Sequence, residues 1–161
     1  MSNEVVVVMG QIKTARSPVI LRALALGSCV GIALWDEKEK VGSLAHAILP
    51  NMPTNRPNPR PHRYATTAID IMVEEMRKLG ATSPEKKITA KLVGGANMFP
   101  KLTSVNVGAR NVEAAKARLK ELGVQLAAED TGKTFGRTMS FFLENGMIEI
   151  TTAGGKLWKK L

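Results

Sequence analysis

Eight short apolar segments, each closed by polar or turn-forming residues, commit most of this chain to β-structure. Glu4–Met9, Ile20–Leu26, Val30–Trp35, Val41–Leu49, Ile88–Val93, Val124–Ala128, Thr138–Leu143 and Met147–Thr152 alternate apolar with polar residues or run apolar throughout. Those are the patterns of half-buried and fully buried strands. Asn145-Gly146 separates the last two and marks a tight hairpin. Only two segments carry a helical period. In Tyr64–Leu79 the residues Ala65, Ala68, Ile69, Met72, Val73, Met76 and Leu79 form one stripe, stopped at Gly80. The second is read as capped by Asn111, with Val112, Ala115, Leu119 and Leu122 facing inward and Gly123 ending it. Many strands and few helices, without strict β-α-β alternation, predict an α/β chain of the α+β kind, with mixed sheets and helices over one side.

The 161 residues, 44% of them hydrophobic, suit a single domain over residues 1–161 that folds without staples. Met1–Gly10 carries Glu4 and no Lys or Arg before its valine run, unlike a secretion signal, and no apolar run approaches the roughly 18 residues of a membrane span. A cytoplasmic protein without membrane insertion is expected. Pro50, Pro53, Pro57, Pro59 and Pro61, interspersed with Asn and Arg, make residues 50–63 a loop that is neither strand nor helix. It is a solvated connector or a lid, the connector weighing more. Residues 154–161 are expected to fray rather than dock.

A net charge of +9 admits acidic protein partners, anionic membrane surfaces and nucleic acid. An aromatic content of 4% leaves few stacking platforms, which argues against nucleic acid, as does the lack of any recognisable binding motif. A lone cysteine excludes an internal disulfide and a cysteine-rich zinc site. Cys29 is therefore packing or chemistry.

Its relation to His46 favours chemistry being tested first. Asp36–Lys40 is a polar stretch suited to a hairpin between the strands that carry the two residues. If Trp35 faces Lys40, Cys29 stands opposite His46, with Cβ atoms about 5 Å apart. One more loop residue puts Cys29 opposite Ala47 and turns His46 away, unless a bulge restores the pairing. Chemistry needs such a contact because a free thiol near pKa 8.5 is only a few per cent thiolate at neutral pH, whereas a neighbouring imidazolium makes thiolate predominant. Gly27 allows a sharp turn before Cys29 that could aim backbone N–H groups at an oxyanion. A buried structural cysteine and a histidine satisfied by a backbone carbonyl are the ordinary alternatives. His62, in the proline loop, is expected at the surface.

Leu26-Gly27-Ser28-Cys29-Val30, Ala45-His46-Ala47-Ile48-Leu49-Pro50, Arg63-Tyr64-Ala65, Gly94-Gly95-Ala96-Asn97-Met98-Phe99, Asn106-Val107-Gly108-Ala109-Arg110-Asn111, Ala128-Glu129-Asp130-Thr131-Gly132 and Gly136-Arg137 occur in this order. Together they resemble the CheD chemoreceptor glutamine deamidases across nearly the whole chain. The resemblance implies hydrolysis of receptor glutamines to glutamate, with methylester hydrolysis in some members, by Cys29 as nucleophile and His46 as base, and no metal or organic cofactor. It also implies a three-layer sandwich of two packed sheets and one helical layer. The implied partners are methyl-accepting chemotaxis receptors and a CheC-type phosphatase, the protein being a monomer or heterodimer.

Three positions depart from the family pattern. Ala23 stands where a threonine completes a Cys-His-Thr triad, Thr66 where Asp is expected, and Lys133 where a second Gly is expected. Ala23 leaves open what orients His46, and makes a catalytically weakened regulator that binds receptors or the phosphatase the alternative reading. Asp130 and Arg137 are read as a structural ion pair. A nucleic-acid binder using Lys156, Lys159 and Lys160 is the weakest reading, tested by salt titration.

Overall fold

In the computed structural model, residues 3–55, 59–81, 88–102 and 104–161 are described. Ten strands form two five-stranded sheets. The first sheet runs in the order β1 (Glu4–Val6), β3 (Ile20–Leu26), β8 (Arg137–Phe142), β9 (Ile148–Thr151), β10 (Leu157–Lys160). The second runs β2 (Ile12–Arg16), β5 (Val41–Ala47), β4 (Val30–Asp36), β6 (Ile88–Gly94), β7 (Gln125–Thr131). Both are mixed: β1 pairs parallel with β3, and β6 parallel with β7, while the other pairs are antiparallel. The α+β class expected from the strand-rich pattern, and the sandwich of two sheets implied by the resemblance, are thus the fold.

Helices α1 (Ala65–Lys78) and α2 (Val107–Leu122) lie against the second sheet. Most of their expected stripes bury: Ala65, Ala68, Ile69, Met72 and Met76 from α1, and Val112, Ala115 and Leu119 from α2, belong to one core with Ile32, Leu34, Ala45 and Leu92, whereas Val73 and Leu122 are only partly buried and Leu79 is exposed. A second core of Leu21, Ala23, Leu26, Leu44, Val93, Met139, Phe141 and Ile150 fills the space between the sheets. The order is helices, sheet, sheet. In a sheet buried on both faces the strands lose their alternation, which is why every residue of β5 is buried.

Four expectations change. The second helix begins five residues early: Asn106 caps it, its side chain accepting from Ala109 N at 2.9 Å, and Asn111 lies inside, fully buried. β2 was not expected, since its Lys13, Thr14 and Arg16 obscure an edge strand buried only at Ile12. The tail does not fray: β10 pairs antiparallel with β9, and Leu161 exchanges backbone hydrogen bonds with Ile148. Its side chains are exposed, so no apolar period announced it. Within the proline loop, Pro61–Arg63 form one 3-10 turn, proline suiting a first helical position. The rest of the loop's described part is mostly exposed, and Arg56, Pro57 and Asn58 lie outside the described residues.

Candidate active site

The site is built where β3 turns into β4. A bulge between Ala23 and Leu26 interrupts the β3–β8 ladder, with Ala25 left-handed at φ 53°. Gly27, Ser28 and Cys29 then cross from the first sheet to the second. The β6 exit holds this crossing from below: Gly95 N donates to Cys29 O and Ala96 N to Gly27 O, each at 2.8 Å. Gly94, at φ 105°, has its pro-Cβ position 2.5 Å from Cys29 O, so only glycine lets the two backbones come this close.

The β4–β5 register differs from both expectations. Asp36 stays in the strand and pairs with Val41, its Oδ1 accepting the N–H groups of Lys38 and Glu39, while Lys40 closes the turn at φ 54°. Gly31, not Cys29, therefore faces His46. Cys29 lies two positions beyond Gly31, just outside the ladder. It keeps the parity that directs it to the inter-sheet face, where it packs in the core with Ala33, Leu44 and Met139. His46 alternates with Leu44 and shares that face. The two side chains are diagonal neighbours, a relation that long side chains can bridge.

His46 is buried, and its Nδ1 lies 3.1 Å from Val7 O. A carbonyl oxygen only accepts, so Nδ1 carries the proton and Nε2 keeps its lone pair. Nε2 is buried with no hydrogen-bond partner among the described residues. Burial pushes the His46 pKa down, the Val7 carbonyl partly opposing it. Burial pushes the Cys29 thiol up, partly offset by its own backbone N–H. Both shifts favour a neutral thiol and a neutral imidazole, where the sequence led us to expect an ion pair, and the Cys29 sulfur makes no hydrogen bond to Nε2 in this state.

Asn111 was not foreseen in this role. From the second turn of α2 its Nδ2 donates to Ser28 O at 2.8 Å and to Ile48 O at 3.0 Å. The only signal was that position 111 falls on the buried stripe, four residues before Ala115.

A groove of about 250 Å³, lined by Ser28, Ala96, Met98, Phe99, Val107 and Gly108, lies beside the segment that precedes Cys29. Phe99 is 62% exposed and nearby Leu102 82%. A second groove, of about 360 Å³, is lined by Gly10, Arg60, His62 and Arg63. It adjoins the β5 exit, because Gly10 N donates to His46 O. His62 is exposed, as expected, and belongs to this rim rather than to the buried pair.

Asp130 and Arg137 form the structural ion pair expected of them, 2.9 Å apart and both buried, with Trp158 Nε1 donating to the same carboxylate at 2.9 Å. Among the described residues no cluster of three His, Cys, Asp or Glu side chains could hold a metal. No described helix is long and apolar enough to cross a membrane.

Residues 48–152 match the family model described as CheD chemotactic sensory transduction. A protein of Caldanaerobacter subterraneus named "Probable chemoreceptor glutamine deamidase CheD" is 44% identical over 149 residues, covering 91% of each chain. One of the same name from Archaeoglobus fulgidus is 40% identical over 98% of this chain and 99% of its own. The "Chemoreceptor glutamine deamidase CheD" of Thermotoga maritima is 39% identical over 93% of this chain and 92% of its own.

Proposed function

Because the chain belongs to the CheD family, we propose that it deamidates glutamine side chains of methyl-accepting chemotaxis receptors, with Cys29 as nucleophile and His46 as general base. The observation that carries this reading is the His46 tautomer. Val7 O holds the Nδ1 proton, so a bare, unpartnered Nε2 is left on the face that Cys29 shares.

The thiol of Cys29 gives its proton to His46 Nε2 as sulfur bonds to the side-chain amide carbon. The tetrahedral intermediate collapses as His46 returns that proton to nitrogen, breaking the C–N bond and releasing ammonia. Water then attacks the thioester with His46 again as base; glutamate leaves and the thiol is restored. The same steps applied to a glutamate methyl ester expel methanol instead, so methylester hydrolysis belongs to this reading. A glutamine side chain is long and slender enough to reach a nearly buried thiol from the groove beside Ser28.

Exposed Phe99 and Leu102 offer apolar contact to a receptor helix, and Arg60 and Arg63 offer cationic contact to acidic residues on it. A CheC-type phosphatase as further partner, a monomeric or heterodimeric state, and a cytoplasmic location complete the reading.

The test is ammonia release and the accompanying mass change on a purified cognate receptor fragment, comparing wild type with Cys29→Ala and His46→Gln. Loss of both signals in the variants is expected. If all three proteins are silent yet bind the fragment, the chain is a regulator and the deamidase reading fails.

A further inference from the structure

We propose that Asn111 is a positioning residue that fixes the separation of Cys29 and His46. The proposal rests on the catalytic reading above. One amide group spans two chain segments far apart in sequence: Ser28 lies 83 residues away and Ile48 lies 63 residues away. Ser28 immediately precedes Cys29, and Ile48 follows His46 by two residues. Both Nδ2 protons are used, one on each carbonyl. Turning the amide over would set an oxygen against two carbonyl oxygens, so its orientation is fixed by its partners.

The approach of α2 that brings this amide into reach is itself specified. A Cβ on Gly108 would stand 2.3 Å from Ala96 O, and one on Gly95 2.3 Å from Val112 Cγ2. The first turn of α2 therefore packs backbone to backbone against the turn that also supports the Cys29 carbonyl. Asn111 then reaches past it, fully buried, to the two strand ends. Neither carbonyl it binds accepts a backbone N–H among the described residues. Removing the amide thus frees the Cys29 and His46 segments to drift relative to each other.

Such drift acts chiefly on the chemical step, since of the residues lining the substrate groove Ser28 alone lies on a segment that the amide holds. Displacements near an ångström between reacting groups cost about 100-fold. For Asn111→Ala in the full-length protein, kcat on the receptor fragment is expected to fall about 10-fold to 100-fold, with KM little changed. A second readout needs no receptor: the pH profile of Cys29 alkylation by iodoacetamide. In wild type it carries a limb set by His46, absent in His46→Gln, and Asn111→Ala is expected to lose that limb while remaining folded by circular dichroism. Asn111→Asp, isosteric but without the two donors, serves if the alanine variant does not fold. An Asn111 variant that melts earlier but keeps the limb and kcat overturns the proposal and makes the residue merely structural. If wild type does not deamidate yet the limb is present and Asn111-dependent, the activity reading fails and the clamp stands. If wild type has no limb, the clamp is overturned with it.

Discussion

Replacing Gly94 with alanine is expected to unseat Cys29, the proposed nucleophile, and the structure gives the cost. At φ 105° an L-residue pays about 1–3 kcal/mol of backbone strain. The new methyl would also lie 2.5 Å from Cys29 O, a backbone atom that cannot swing aside. The loop must shift, and the Gly95 N to Cys29 O hydrogen bond of 2.8 Å goes with it, worth about 1 kcal/mol. The expected loss of stability is thus about 2–4 kcal/mol, read from urea midpoints at unchanged slope. Turnover in ammonia release, measured where the variant is folded, should drop about 100-fold. Gly132→Ala is the matched control. It too has positive φ, 79°, but nothing lies within 4 Å of its pro-Cβ position, so only strain of about 1–2 kcal/mol is expected, with kcat unchanged. Equal destabilisation of both variants, with turnover intact in Gly94→Ala, would refute the argument that this contact seats Cys29.

Three further expectations follow from the buried groups. With His46 lowered and Cys29 raised by burial, kcat/KM should have its acid limb below 6.5 and its alkaline limb above 9.0, a wider plateau than free side chains give. The same shifts bear on stability. The unfolded chain takes up the His46 proton first, so stability present above 6.5 is lost as pH falls, whereas the Cys29 contribution is present below 9.0 and lost as pH rises. His46→Gln should flatten the acid side of a urea-midpoint profile, and an unchanged slope would argue against a neutral buried imidazole. Asp130→Asn leaves Arg137 charged and uncompensated in the core, costing about 3–5 kcal/mol and loosening β10. Trp158 fluorescence should shift to the red, and an unchanged spectrum would mean that the tail is held otherwise. Ala23→Thr crowds a fully buried site opposite Met139, at about 1–3 kcal/mol, without raising kcat, because His46 Nδ1 already has its acceptor. A tenfold rise would show that Val7 O is an inadequate substitute.

The fold was legible where burial is two-sided or strictly periodic. β3 came out with the bounds expected of it, and α1 to within a residue at each end, because Ile20–Leu26 and the Ala65–Met76 stripe face cores that only apolar side chains fill. β2 and β10 were illegible because edge strands owe their place to backbone pairing, which leaves little trace in side-chain type. β10 is also secured by a single indole and a buried carboxylate, Trp158 on Asp130, from segments far apart in the chain. No local window contains both.

The candidate pair was legible in the sequence and its support was not, for the same physical reason. Cys29 and His46 stand out because few side chains can be nucleophile or base, and the hairpin between them limits their registers to a few. The register itself turned on Asp36, whose carboxylate caps the turn and carries the strand one residue further than alternation indicated. Parity survived this slip, since moving Cys29 two positions along the ladder leaves it on the His46 face. That a backbone carbonyl could satisfy His46 was legible, but not which one. A threonine at position 23 would have advertised itself, but Val7 acts through its carbonyl, a group every residue has. Lys133 obeys the same logic. It sits at φ 59° where the resembling family has glycine, and its carbonyl receives Asn97 N at 2.9 Å. The backbone conformation is kept although the residue that eases it is not. In this chain backbone groups stand where the family pattern has side chains, so on the proposed reading Ala23 alone does not mark lost catalysis. Val7 O, Asn111 and the Gly94-Gly95 turn each carry part of the support, and the loss of any one of them is expected to weaken the pair.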